Sequence, residues 1–261
     1  MAATGVLAFG QHVWAVTDSE IRKLRHDPWE LGTRAIQPVL WLVVFGHVMA
    51  RVRGMPTGDV SYLEFMTPGI LAQSVLFVAI FYGISVIWER DLGILQKYLV
   101  SPASRTALVL GKGLSAGVRG LSGAVIVYVL TLVMQIRTNV HPLAILGVLG
   151  LILLGSAVFS TLSLIMACLV KTRERFMGMG QVMTMPIFFA SNAIYPLSLM
   201  PDWLRMLSRA NPLTYQVDAL RALMIPGVTS AFGLGADVGV LLVSLVVLVW
   251  TAARLYPRMV T

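Results

Sequence analysis

Residues 88–102 read WERDLGILQKYLVSP, a short charged stretch between two long apolar runs. The run before it covers about residues 63–88, and the run after it covers about 113–136. Each run is long enough to cross a bilayer as a helix, which takes roughly 20 apolar residues. The charged stretch is therefore predicted to connect two membrane spans and to face water or a water-soluble partner.

The composition of the whole chain is typical of a helical membrane protein. Hydrophobic residues make up 57% and charged residues 12% of the 261 residues, whereas soluble domains average about 25% charged residues. The predicted fold class is an all-α polytopic membrane protein with a single transmembrane domain over residues 1–261. Six transmembrane helices are expected, at about 31–50, 63–88, 113–136, 142–170, 176–195 and 235–256.

Two further segments have helical periodicity but do not qualify as spans. Residues 6–26 place apolar side chains on one side and polar ones on the other, which predicts an amphipathic helix lying in the membrane interface. Residues 201–223 contain two short amphipathic helices. Asn211-Pro212 separates them, because the residue before a proline disfavours helical geometry. Both are expected at the membrane surface or partly inserted.

The distribution of basic residues sets the expected orientation. With the N-terminus inside, fourteen of the 20 Lys and Arg residues fall on the inner side and six on the outer side. Lys and Arg accumulate on the cytoplasmic side of membrane proteins, so both termini and the 88–102 connector are predicted to be cytoplasmic. The net charge of +8 then reflects membrane topology, and no nucleic-acid partner is expected.

The connector has a helical pattern of its own. Arg90 and Lys97 lie opposite an apolar stripe, and Pro102 ends the pattern. The stripe consists of Trp88, Leu92, Leu95 and Leu99. Periodicity alone leaves a short helix with an outward polar face and an ordinary solvated loop equally open.

The connector is part of a longer set of motifs that occur in a fixed order. Residues 88–105 follow the pattern WERDxGxLxxYxxSPxSR, and Leu110-Gly111-Lys112 comes shortly after it. The other pieces are YLxFxxPG at 62–69, YPLxxMPxWL at 195–204 and NPLTYxxDALR at 211–221. Together they resemble the permease subunit of type-2 ABC exporters, particularly the daunorubicin-resistance permease group. Asp91 departs from the family pattern, in which Glu is more frequent.

The resemblance implies specific roles. Residues 89–102 would be a coupling helix that docks on a separate cytoplasmic ABC ATPase, and the helices at 201–223 would be re-entrant and cap the exit side. Two ATPase copies and a second permease copy or paralogue would complete the transporter in a bacterial cytoplasmic membrane. The implied ATPase-coupling residues are Glu89, Arg90, Asp91, Gly93, Leu95, Lys97, Tyr98 and Pro102. The implied outer-gate residues are Trp203, Asn211, Pro212, Asp218 and Arg221.

Catalytic and metal sites are not expected in this chain. Gly111-Lys112 lacks the preceding glycine and the following Ser or Thr of a phosphate-binding loop, so ATP and Mg are expected in the partner ATPase and no enzyme activity here. The four histidines are widely separated along the chain, which argues against a shared metal site.

Polar residues inside the predicted spans are the candidates for a transport pathway. Arg119 is close enough to the cytoplasmic end to extend its side chain to the interface. The remaining pathway candidates are Gln37, Gln73, Ser74 and Gln181.

The sequence therefore predicts the permease half of an ATP-driven exporter of an amphipathic or lipophilic drug or lipid. One alternative is a type-2 permease for a lipid-linked polysaccharide or glycolipid. An ion-driven transporter or channel is another, but it would normally need a carboxylate or histidine relay at mid-membrane depth. A membrane scaffold ranks last.

Overall fold

The computed structural model describes residues 28–51, 60–93, 105–170 and 172–255, and the regular structure in these ranges is entirely helical. This confirms the all-α class for the described part of the chain. The predicted interfacial helix at 6–26 and connector residues 94–102 lie outside the described residues. The helices are α1 Pro28–Val39, α2 His47–Ala50, α3 Tyr62–Asp91, α4 Arg105–Val133, α5 Pro142–Leu169, α6 Arg173–Phe189, α7 Asp202–Ala210, α8 Pro212–Met224 and α9 Leu234–Leu255.

Helices α3 and α5 form the centre of the molecule. Each packs against α4, α6 and α8, and the two pack against each other. Helix α3 begins with a capping box, in which Glu64 N–H donates to Ser61 Oγ at 3.2 Å and Ser61 N–H donates to Glu64 Oε2 at 2.8 Å. Further along, Gly83 allows α5 to approach closely enough for Ser163 Oγ to donate to the Ile80 carbonyl. Helix α9 packs on the outside of this group, against α5, α4 and α8.

Small residues bring α4 and α5 close together. A Cβ atom at Gly117 would lie 2.8 Å from Leu153 Cδ2, and one at Gly120 would lie 2.7 Å from Ser156 Oγ. Helix pairs in membranes commonly associate through such stripes, because the lipid provides no hydrophobic force and van der Waals contact must hold the helices together. The glycines of α4 therefore fix its position on α5.

The described residues contain four helices that are long and apolar enough to cross a membrane: α3, residues 111–133 of α4, α5 and α9. Their positions agree with four of the six predicted spans. The apolar part of the first predicted span, Ala35–Ala50, is shorter. The fifth corresponds to α6, which has 17 residues. Six spans therefore remain a prediction.

Pro38 marks a local change in the first predicted span. It lies within α1, and residues Leu40–Gly46 after it form a π-helix that leads into α2. Proline has no N–H to donate, so the regular hydrogen-bond ladder is interrupted and the next turn can widen. The irregularity after Pro38 thus takes the form of a π-helical segment.

Three helix bounds differ from those of the predicted segments. A separate coupling helix was expected to start at Glu89, but α3 continues without interruption through Asp91 because Leu92 N–H still bonds the Trp88 carbonyl. The helix ends at Asp91, and Gly93, two residues later, has a φ of +70° that leaves the right-handed region. Helix α4 already begins at Arg105 rather than near residue 113. Helix α6 ends at Phe189, before the predicted residue 195, and turns follow.

Candidate functional site

Charged side chains collect where α3 ends, α4 and α6 begin and α5 ends. We call this group the charged junction; it comprises Trp88, Glu89, Arg90, Asp91, Lys112 and Arg173. Its most buried contact is the ion pair between Glu89 Oε2 and Lys112 Nζ. The Lys112 side chain is 8% exposed and the Glu89 side chain 20%. This pair joins the end of α3 to the first part of α4.

Asp91 and Trp88 connect the same end of α3 to α6. Arg173 donates to Asp91 Oδ2 at 2.8 Å, and its guanidinium carbon lies 3.4 Å from the centre of the Trp88 ring. Arg90 pairs with Asp91 at 3.2 Å and donates to the Val170 carbonyl, just beyond α5, at 3.4 Å. The last turn of α3 is therefore attached to all three neighbouring helices.

The two ion pairs differ in strength for a physical reason. Asp91 and Arg173 are each about one third exposed, and exposed pairs contribute little because water screens them. Lys112 is buried, so removing its partner would leave a charge without compensation, which costs about 3–5 kcal/mol in well-buried pairs. The end of α3 is therefore held more firmly to α4 than to α6.

The structure brings together part of the predicted coupling set. Glu89, Arg90 and Asp91 all lie in the charged junction, and Gly93 forms the turn that ends α3. The other predicted members lie outside the described residues: Leu95, Lys97, Tyr98 and Pro102.

Sequence reasoning did not assign a role to Lys112 or Arg173. Lys112 belongs to the LGK piece that follows the connector motif, and Arg173 lies in the loop just before the predicted fifth span. The sequence does show opposite charges at the ends of successive spans. Which of these charges form pairs, however, depends on which helices lie side by side.

A cavity of about 250 Å³ opens between α1, α3 and α4. Two of the predicted pathway residues, Gln37 and Ser74, line it. Arg119 also lines it, with its guanidinium carbon 5.5 Å from the centre of the Tyr82 ring. The aromatic part of the lining consists of Phe77, Phe81 and Tyr82. A cavity with this lining can hold an amphipathic molecule.

The other two pathway candidates lie elsewhere. Gln73 is buried in α3, and its Oε1 has no hydrogen-bond partner among the described residues. Gln181 is exposed on the surface of α6. Gln37 and Ser74 are thus the only predicted pathway residues that share the cavity just described.

Helices α7 and α8 lie in the segment predicted to contain two short helices, at the opposite end of the molecule from the charged junction. Asn211 separates them: its Oδ1 accepts from Leu213 N–H at 3.0 Å, and its Nδ2 donates to the Ile187 carbonyl at 2.6 Å. Pro212 occupies the first turn of α8, where a missing N–H costs nothing. Trp203, by contrast, is largely exposed on α7.

Arg221 anchors α8 in the body of the molecule. It is buried, donates to the Asn192 carbonyl at 2.8 Å and to the Phe65 carbonyl at 3.4 Å, and its guanidinium carbon lies 3.9 Å from the centre of the Phe65 ring. Burial lowers the pKa of Arg221 to about 10, and the neighbouring Asp218 carboxylate opposes the shift. Arg221 therefore stays charged at neutral pH in α8, which is not one of the four spanning helices.

Comparison with known proteins assigns these features to a family. Residues 11–225 match the family described as "ABC-2 type transporter". A putative transport permease ycf38 from Cyanophora paradoxa is 28% identical over 221 residues, which is 82% of this chain and 74% of the relative.

Two bacterial relatives are similar over a comparable length. The daunorubicin resistance ABC transporter permease protein DrrB1 from Streptomyces coeruleorubidus is 26% identical, covering 85% of this chain and 76% of the relative. The inner membrane transport permease YadH from Escherichia coli (strain K12) is 23% identical, covering 71% of this chain and 73% of the relative.

Among the described residues no group of three or more His, Cys, Asp or Glu side chains is placed to hold a metal ion. The four spanning helices and the match over most of its length together make this chain an integral membrane protein that belongs to the ABC-2 type transporter family.

Proposed function

We propose that this protein is the permease subunit of an ATP-driven exporter that moves an amphipathic or lipophilic molecule out of the cytoplasm. A separate ABC ATPase, present in two copies, binds ATP and Mg, and a second permease subunit completes the pathway. The ABC-2 family implies the ATPase partner. The observation that carries the coupling part of the proposal is the attachment of one helix end to three neighbouring helices at the charged junction.

Coupling proceeds through the last turn of α3 in this proposal. The ATPase contacts the 94–102 segment, and its closure displaces the end of α3. Glu89 carries this displacement to α4 through Lys112, and Asp91 carries it to α6 through Arg173. Because α3 and α5 are tightly packed, the spans move together as rigid helices.

The cavity between α1, α3 and α4 supports an amphipathic substrate. Its aromatic side chains offer apolar contact, while Gln37, Ser74 and Arg119 offer hydrogen bonds and a positive charge. A molecule with an apolar body and a polar group would satisfy both parts of the lining. Drug and lipid substrates both meet this description, and one relative carries a drug-resistance name.

The rival functions make different demands on the same structure. A permease for a lipid-linked polysaccharide or glycolipid would need a pathway wide enough for a sugar chain. An ion-driven transporter would need a relay of carboxylates or histidines at mid-depth. In the described spanning helices the buried acid, Asp237, lies in the first turn of α9 rather than at mid-depth.

Reconstitution with a candidate ABC ATPase tests the coupling assignment. The double substitution of Glu89 and Leu95 by Ala should abolish co-purification of the ATPase or substrate-stimulated ATP hydrolysis, while membrane insertion continues. Substitution of the exposed Asp202 by Ala is the matched control and should leave both unchanged. Normal coupling in the double variant would contradict the assignment.

Cysteine accessibility tests the proposed orientation. A cysteine placed at Arg205, after replacement of Cys168 by Ala, should react with a membrane-impermeant maleimide added to intact cells. Reaction only after the cells are opened would place α7 in the cytoplasm and reverse the topology.

A further inference from the structure

Two buried carboxyl groups meet at one hydroxyl between α8 and the start of α9. Ser230 Oγ lies 2.9 Å from Asp218 Oδ2 and 2.7 Å from Asp237 Oδ2. Asp218 is 3% exposed and Asp237 is 0% exposed. We call these three side chains the Asp-Ser-Asp cluster. The coupling scheme proposed above does not use it.

The Ser230 hydroxyl has too few protons to donate to both carboxyl groups. A serine hydroxyl has one proton to donate and two lone pairs that accept. Gly233 N–H already donates to Ser230 Oγ at 2.7 Å, so one lone pair is occupied. The hydroxyl proton can point fully at only one carboxyl group. The second short contact therefore needs a proton that comes from the other carboxyl group.

The surroundings identify Asp218 as the acceptor. Its Oδ2 also accepts from Phe232 N–H at 3.1 Å, and the positive charge of Arg221 lies close enough to interact with it. Asp218 is thus stabilised as a carboxylate by a backbone donor and a cation. Ser230 then donates to Asp218 and accepts from Asp237, which uses its one proton and both lone pairs.

The other oxygen of Asp237 supports the same assignment. Oδ1 is buried and has no hydrogen-bond partner among the described residues. Leaving a buried oxygen without a hydrogen-bond partner is costly, and the cost is larger when the oxygen carries charge. The N-terminus of α9 favours an ionised acid, but this effect is weak by comparison. The balance favours the neutral form.

Charges on the neighbouring helices do not reverse this balance. Helix α5 contains no Asp, Glu, Lys, Arg or His between Pro142 and Leu169. The basic residues of α4 belong to its first half, toward the charged junction: Arg105, Lys112 and Arg119. Arg137 and His141, in the turn between α4 and α5, are exposed to solvent.

We propose that Asp237 is protonated and donates to Ser230, which in turn donates to Asp218. The acid proton of Asp237 thereby completes a chain of two hydrogen bonds that holds α8 against α9. When solvent water removes this proton, two negative charges surround a single hydroxyl and repel each other. The contact between α8 and α9 then weakens. Control of this contact by the external pH rests on the membrane orientation given under the proposed function. The protonation of Asp237 does not depend on that orientation.

Infrared spectroscopy of the purified full-length protein tests the protonation directly. In mildly acidic buffer the wild-type protein should show the carbonyl stretch of a protonated carboxylic acid, and Asp237→Asn should lose it. Asp202→Asn, which changes a fully exposed acid on α7, is the matched control and should keep the band. Absence of the band from the wild-type protein would overturn the proposal even if no variant folds.

Thermal unfolding tests the consequence. A group protonated in the folded state stabilises it at low pH and loses that effect as the pH rises. The wild-type melting temperature should therefore fall from acidic to alkaline buffer, and Asp237→Asn should show a smaller fall, because its amide N–H replaces the acid proton. An equal fall in the variant would contradict the proposal. A wild-type curve that shifts when a chelator is added would also overturn it, since a bound metal ion would then join the carboxylates.

Discussion

Replacing Glu89 by Gln leaves the buried Lys112 ammonium without its counter-charge. The pair is partly buried, with Lys112 8% and Glu89 20% exposed. Removing one partner of a buried ion pair costs about 3–5 kcal/mol, and the residual exposure of Glu89 places the expected loss near the lower limit, about 3 kcal/mol. Replacing Lys112 by Met should cost less, because the remaining carboxylate is the more exposed partner and can recruit water.

The measurement is the free energy of unfolding in mixed detergent micelles. The double variant, with both substitutions, should recover part of the loss, because neither charge is then unpaired. The coupling energy from this double-mutant cycle should exceed about 0.5 kcal/mol, the range of additivity for independent sites. The reasoning that this pair ties α3 to α4 is refuted if Glu89→Gln lowers the free energy of unfolding by less than about 0.5 kcal/mol and the effects of the two substitutions add up. ATPase stimulation should fall in the same order as stability if the pair also transmits force.

Three further outcomes are expected. Gly69→Ala should lower the yield of folded protein, because its Cβ would lie 2.8 Å from the Ala193 carbonyl carbon and closer still to the carbonyl oxygen, whereas Gly123→Ala meets an ordinary 3.5 Å contact and should not; equal yields would contradict the packing. Arg173→Gln should cost less than about 1 kcal/mol of unfolding free energy and less still in high salt, since the pair with Asp91 is exposed; a larger, salt-independent loss would be inconsistent with this. Arg221→Met should cost about 2 kcal/mol or more in the same assay, because buried carbonyls lose their donor; wild-type stability would contradict the anchoring role.

The sequence alone determined the class of the protein and the position of most helices. Apolar runs of bilayer length lead to spanning helices because an unpaired backbone is too costly in lipid, and Asn211-Pro212 separates α7 from α8 through local geometry alone. The end of α3 was harder to locate. The periodicity of residues 88–102 is compatible with both a short helix and a solvated loop, whereas the end of α3 at Asp91 is followed by the positive φ of Gly93.

Only the tertiary structure decided which polar groups act together. Glu89 and Lys112 are 23 residues apart in the chain, and Asp91 and Arg173 are 82 apart; no local pattern pairs them. The same is true of Gln37 and Ser74, which line one cavity while Gln181 lies exposed on α6. Hydrophobicity and helix propensity are properties of single segments, so they can be read along the chain. Ion pairs and shared protons depend on which helix faces lie side by side, and that is determined by the packing of the whole bundle.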